Sequence, residues 1–355
     1  MKFKPLFFAA LLLVFSSLAC RFAEQILYDP TATPVPTVTP VPTATPIPPT
    51  ATPTATPQPT FNDTCPDGNC IEACLANVGA LSKIAPSEEH GGFNNSEYDL
   101  VTYTISGDEI LNPVKQPVSS ALKPYQQDEA SQRRVWDYFA NVIPPEYRPL
   151  LTQYIIFSDG EANILASVAQ SDNDPNLWVL RVDIVDAADP KELPYTLVHE
   201  YAHLLTLNPK QVPPSMPIFN HPENGSVYEQ EAAKCDTYFP GEGCSDPDSY
   251  INQFVNTYWN DIYDEWAQLD SVGDEQDYYD ALDAFYKKYQ DQFVSDYAPT
   301  DPAEDIAESF SFFVLSPRPA GNTIAEKKLL FFYQYPELAD LRLKAIEGIC
   351  SYGGK

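Results

Sequence analysis

The chain has 355 residues, 44% of them hydrophobic, with 21 basic against 50 acidic residues and a formal net charge of -29. That length is enough to bury a sizeable core in one globular body. A surface this acidic repels phosphate backbones, which argues against sequence-independent nucleic-acid binding and fits solubility outside a cell.

The first twenty residues read as an export signal: Lys2 and Lys4, an apolar run from Pro5 to Phe15, then the small residues Ser16, Ser17, Ala19 and Cys20. The run is short for a membrane-crossing helix. Ser17-Leu18-Ala19-Cys20 resembles a bacterial lipobox, with Ser17 standing where that motif usually has Leu, so the expectation is lipidation at Cys20 and a place on the outer surface of a bacterial membrane. Membrane contact is expected only through this anchor. Residues 21–62 are dominated by Thr and Pro, in a rhythm such as Thr39-Pro40 and Thr45-Pro46. Prolines this dense lack amide donors and fix φ, so an extended tether is expected rather than helix or sheet.

Residues 63–355 are then the folded domain. It holds Cys65, Cys70, Cys74, Cys235, Cys244 and Cys350, an even set suited to disulfides in an oxidising compartment. Cys235 and Cys244 flank a Pro/Gly loop they can close locally, and the other four allow several pairings. A metal knuckle from the Cys65 to Cys74 cluster is the alternative, although its spacing fits no common structural-zinc pattern.

Alternation and turn signals predict strands over Tyr98 to Ser106, Gln153 to Ser158, Ala162 to Ala169 and Trp178 to Val185, and an amphipathic helix over Glu129 to Val142. A helix follows from about Lys191 to Leu207, stopped by Pro209. Beyond a loop-rich segment to Pro247 the pattern is mainly helical: Tyr250 to Leu269, Gln276 to Phe293, Pro302 to Leu315, Ile324 to Phe332 and Pro336 to Ile349. Tyr258, Trp259, Tyr263 and Trp266 recur at helical spacing and read as core. His90 and His221 have no metal-ligand spacing to a partner and read as loop residues.

The helix over 191–207 carries His199-Glu200-Tyr201-Ala202-His203. Residues four apart share a helix face, so both imidazoles can reach one zinc ion, and Glu200 is placed to move a proton for a water on that ion. An active site of this kind needs a third protein ligand and an open position. The residues leave Glu304, Glu308 and the loop residue Glu223 open for that role. Asp301, Pro302 and Glu304 also spell a helix cap.

Asp301-Pro302-Ala303-Glu304-Asp305-Ile306-Ala307-Glu308-Ser309-Phe310 looks like the second motif of gluzincin metallopeptidases and is most similar to that of the anthrax lethal factor group. The resemblance implies that Glu304 ligates zinc and that Glu308 orients a ligand. Such sites place a Tyr seven residues before the Glu ligand to stabilise an oxyanion, which implies that role for Tyr297. They also bind substrate on an edge strand, which Trp178 to Val185 resembles, with Arg181 or Asp183 facing the cleft. The resulting expectation is an α+β, zincin-like metallopeptidase domain, with a mixed sheet, then the active-site helix, then a mainly helical C-terminal part. It would be an exported hydrolase of peptide or protein substrates with Zn2+ as cofactor. A catalytically silent zincin-like surface binding protein is the alternative.

Overall fold

The computed structural model describes residues 69–76, 81, 97–159, 164–188, 192–269 and 275–352. The export signal, Cys20, the Thr/Pro tract, Cys65 and His90 lie outside them, as does the side chain of Cys70. A short helix α1 (Asn69–Ala76) precedes strands β1 (Tyr98–Ser106) and β2 (Glu109–Lys115), then helices α2 (Lys123–Gln127) and α3 (Glu129–Val142). Strands β3 (Leu151–Ser158), β4 (Ala166–Ser171) and β5 (Asp174–Asp183) lead into helix α4 (Glu192–Leu207). Then come α5 (Met216–Asn220), α6 (Gly225–Ala232), α7 (Tyr250–Tyr258), α8 (Tyr263–Trp266), α9 (Glu275–Lys288), α10 (Pro302–Leu315), α11 (Ile324–Phe332) and α12 (Pro336–Tyr352).

The strands form one mixed sheet in the order β2-β1-β3-β5-β4. Only β3 and β5 pair in parallel, and the other neighbours are antiparallel. The fold is therefore α+β, as expected. Alternation along β1 and β3 sends Tyr103 and Tyr154 to one face, their rings 6.1 Å apart, and Trp136 of α3 packs 5.4 Å from Tyr154. Burying these large rings against a helix is what ties the sheet to its helical layer.

The sheet differs from the expected strands at two places. Segment 109–115, for which no strand is predicted above, pairs with β1 even though it contains Asn112-Pro113. As an edge strand, β2 tolerates a residue without an amide donor, and Asn112 takes a positive φ of 52° there. The strand expected from Trp178 to Val185 lies between β3 and β4, so it is not an edge. Arg181 on it is buried and bonds to Glu97 and Asp99, and Asp183 accepts backbone N–H groups from Asp159 and Val185, so neither opens onto a cleft. The edge beside α4 is β4.

Among the described residues two disulfides are present. Cys235–Cys244 is the expected local closure, and Cys74–Cys350 joins residues 276 apart. The second removes Cys74 from any cysteine knuckle. No helix of the described residues is long and apolar enough to cross a membrane.

Candidate metal centre

Helix α4 is apolar over much of its surface, with Leu193, Leu197, Val198, Tyr201, Ala202 and Leu204 buried, so it is packed firmly enough to fix its polar side chains. Helix α10 crosses it. Asp301 caps α10 by accepting the Ala303 N–H at 2.6 Å, and Pro302 supplies the preset φ of the first turn. With Asp301 satisfying the cap, Glu304 turns its carboxylate to α4. His199 Nε2 lies 3.0 Å from Glu304 Oε2 and 3.1 Å from His203 Nε2, and His203 Nε2 is 3.4 Å from that same oxygen. All three side chains are buried.

This triangle suits one ion. Ligands held tetrahedrally about 2.0–2.1 Å from zinc stand about 3.3–3.4 Å from one another. The hydrogen bonding points the same way. His199 Nδ1–H donates to Glu308 Oε1 at 2.9 Å, which leaves only a lone pair on Nε2, aimed at another imidazole nitrogen and a carboxylate oxygen. Three electron-rich atoms this close call for positive charge between them, either a bound cation or a proton on an imidazole nitrogen. The carboxylates around it favour positive charge there: burial opposes a charged His199 ring, yet hydrogen bonds to Glu304 and Glu308 raise its pKa to about 10 when no ion is bound. His203 is raised too, its burial outweighed by the charge of Glu304, and Glu304 is held well below its usual range by the two imidazoles despite burial.

Glu308 does not join the triangle. Its second oxygen accepts Ser295 Oγ–H at 2.5 Å, so Ser295, which sequence reading passed over, fixes the carboxylate that orients His199. Glu223 is exposed between α5 and α6 and stands apart from the donor group. Glu200 points to β4, where the Val168 backbone bonds its carboxyl, and burial foremost raises its pKa. Tyr297 has its ring 6.1 Å from that of His199 and is 48% exposed, while its hydroxyl faces Glu304, whose charge raises its pKa. His221 ends α5 away from the donor group. Trp259 and Trp266 are buried core, as expected.

Sequence reading also missed Glu242. Burial pushes its carboxyl up to about 7, partly opposed by a hydrogen bond from its own backbone N–H and by His203, and its Oε2 is buried with no hydrogen-bond partner. The Cys235–Cys244 spacing was the one available sign that this loop is held in place. A second acidic group, Asp159, Asp183 and Asp186, has its oxygens within 4.8 Å of one another, and burial raises Asp186 to about 6.

Residues 251–327 match the family described as "Putative zinc-binding metallo-peptidase". The match contains Tyr297, Glu304 and Glu308 and lies wholly beyond His199, Glu200 and His203. No curated protein and no solved structure matches the chain. The match supports a zinc metallopeptidase, hence at a coarse level a hydrolase of peptide or protein substrates. Zinc is the cofactor: the matched family is described as a "putative zinc-binding" one, and His199, His203 and Glu304 form a group that can hold a metal ion.

Proposed function

We propose that the protein is an exported zinc metallopeptidase of zincin-like fold, in which His199, His203 and Glu304 hold zinc and Glu200 is the general base. The observation that carries the reading is the triangle of donor atoms at 3.0, 3.1 and 3.4 Å, with Glu200 one residue from a ligand and turned to the edge strand. Zinc, when bound, supplies a Lewis acid and a water acidic enough to lose a proton near neutral pH. Glu200 would accept a proton from the attacking water and hand it to the leaving amine, a duty that a carboxyl raised by burial suits. Tyr297 offers a hydroxyl to the oxyanion of the tetrahedral carbon. Glu308, held by Ser295, keeps the His199 lone pair turned inward. The outer edge of β4, which is antiparallel to β5, offers backbone groups on which an extended substrate can pair beside Glu200.

Export is supported by the leader-like first twenty residues and by two disulfides. The tether and the lipid anchor at Cys20 remain part of this proposal, as do the bounds 1–20, 21–62 and 63–355. The test is zinc analysis and casein hydrolysis on the purified chain before and after Glu200→Gln. The variant is expected to keep stoichiometric zinc and to lose about 10²- to 10⁴-fold in rate. Equal hydrolysis by the variant would sink the mechanism. A zinc-loaded wild type inert toward every peptide would favour the silent binding protein instead.

A further inference from the structure

Glu242 lies in the loop closed by Cys235–Cys244, and that loop is fixed at several points. The Glu242 carbonyl accepts Ser215 N–H at 2.7 Å, and a side chain at Gly243 would collide with the Pro213 backbone. Tyr238 of the same loop donates its hydroxyl to Asp301, the cap of the helix that carries Glu304. The loop is thus built onto the metal centre and gives the Glu242 backbone little freedom to move away.

The carboxylate so placed has a hydrogen bond from its own backbone N–H but no cationic side chain paired with it among the described residues. Its Oε2 is buried and accepts no hydrogen bond, and no Lys or Arg among the described residues forms an ion pair with it. Lys234, which adjoins the loop in the sequence, is paired with Glu231. Glu242 feels the charge of His203, yet it is absent from the group of donor atoms lying within 4.8 Å of one another, so it does not share their ion. An unmatched carboxylate is costly to bury, so it either takes up a proton or gains from a cationic ligand placed against it. The chain's net charge of -29 would draw cationic ligands to the protein.

We propose that Glu242 is a specificity-determining residue that receives a cationic group of the substrate, an ammonium or guanidinium next to the scissile bond. The assignment rests on the peptidase reading and names its substrate class: basic peptides.

The experiment takes the zinc-loaded full chain and peptides of one scaffold bearing Lys, Arg, Gln or Glu at successive positions, each with a free or an acetylated amino terminus. A preference of about tenfold or more in kcat/KM for the cationic peptide is expected. Glu242→Gln should bring the ratio close to one, Glu242→Asp should retain most of it, and Glu242→Lys should turn it toward Glu peptides. A preference abolished by acetylation assigns the pocket to the terminal ammonium, and one that follows Lys and Arg assigns it to a side chain. Binding of the same peptides to zinc-loaded Glu200→Gln, with and without Glu242→Gln, reads the contact without turnover. Zinc content and melting temperature identify variants that have folded. Hydrolysis blind to charge, or a ratio that Glu242→Gln leaves unmoved, overturns the assignment and spares the peptidase reading. No hydrolysis, with charge-selective binding that Glu242→Gln removes, supports Glu242 as the cation site and overturns the peptidase reading. No hydrolysis together with charge-blind binding overturns both.

Discussion

His199 is held from two sides, and that is the detail on which metal affinity turns. Glu308 fixes the tautomer by accepting from Nδ1, and Ser295 keeps Glu308 from rotating. Replacing Glu308 with Ala is therefore expected to weaken zinc binding about 10- to 100-fold, measured by competition with a chromogenic chelator. An unchanged affinity would show that packing of α4 alone orients the ring. Much of this site is legible in the sequence, because His199, Glu200 and His203 stand one helical turn apart and Glu304 follows a recognisable cap. The roles of Ser295 and Glu242 are not. Each acts from a segment whose path is set by contacts far away in the chain, and neither belongs to a spacing pattern.

At the level of elements, α10 is kept in register by a buried ion pair. Lys328 Nζ lies 2.6 Å from Asp305 Oδ2, both side chains fully buried, and Trp259 Nε1–H donates to the same oxygen at 2.8 Å. The ammonium also sits 4.2 Å from the Phe293 ring. Since Asp305 adjoins Glu304, this pair sets the rotation of the helix that presents the carboxylate. Asp305→Asn leaves an uncompensated buried ammonium and is expected to cost about 3–5 kcal/mol in urea unfolding, with Lys328→Met in the same chain recovering a large part. Additive losses in the double variant would refute the coupling. Other elements show where sequence patterns stop. The helix expected over Tyr250 to Leu269 breaks into α7 and α8, because Asn260 donates its side-chain amide to the Asn256 carbonyl and Trp259 turns to Asp305. Composition alone does not reveal such competition. Helices α3 and α10, in contrast, have the expected bounds, since Asp128 and Asp301 cap them and Ile143-Pro144 and Ser316-Pro317 stop them.

For the whole molecule, the order of the sheet could not be read from its strands. Each strand shows its period, but neighbours are chosen by packing, so β5 became interior and β4 the edge beside α4. The division of the metal centre is equally a property of the complete chain. The two imidazoles come from α4, the carboxylate from α10, and only the second lies in the segment that matches a metallopeptidase family.

The bond between Cys74 and Cys350 has a mechanical consequence. Tension applied between the two chain ends passes from sulfur to sulfur, so everything between those cysteines is bypassed and carries no load. In optical-tweezer stretching, the oxidised protein is expected to lengthen only by its outer segments. Reduction should release the 276-residue span, roughly 900 Å of added contour length. A body tethered by one end would in this way withstand drag without its core being pulled open.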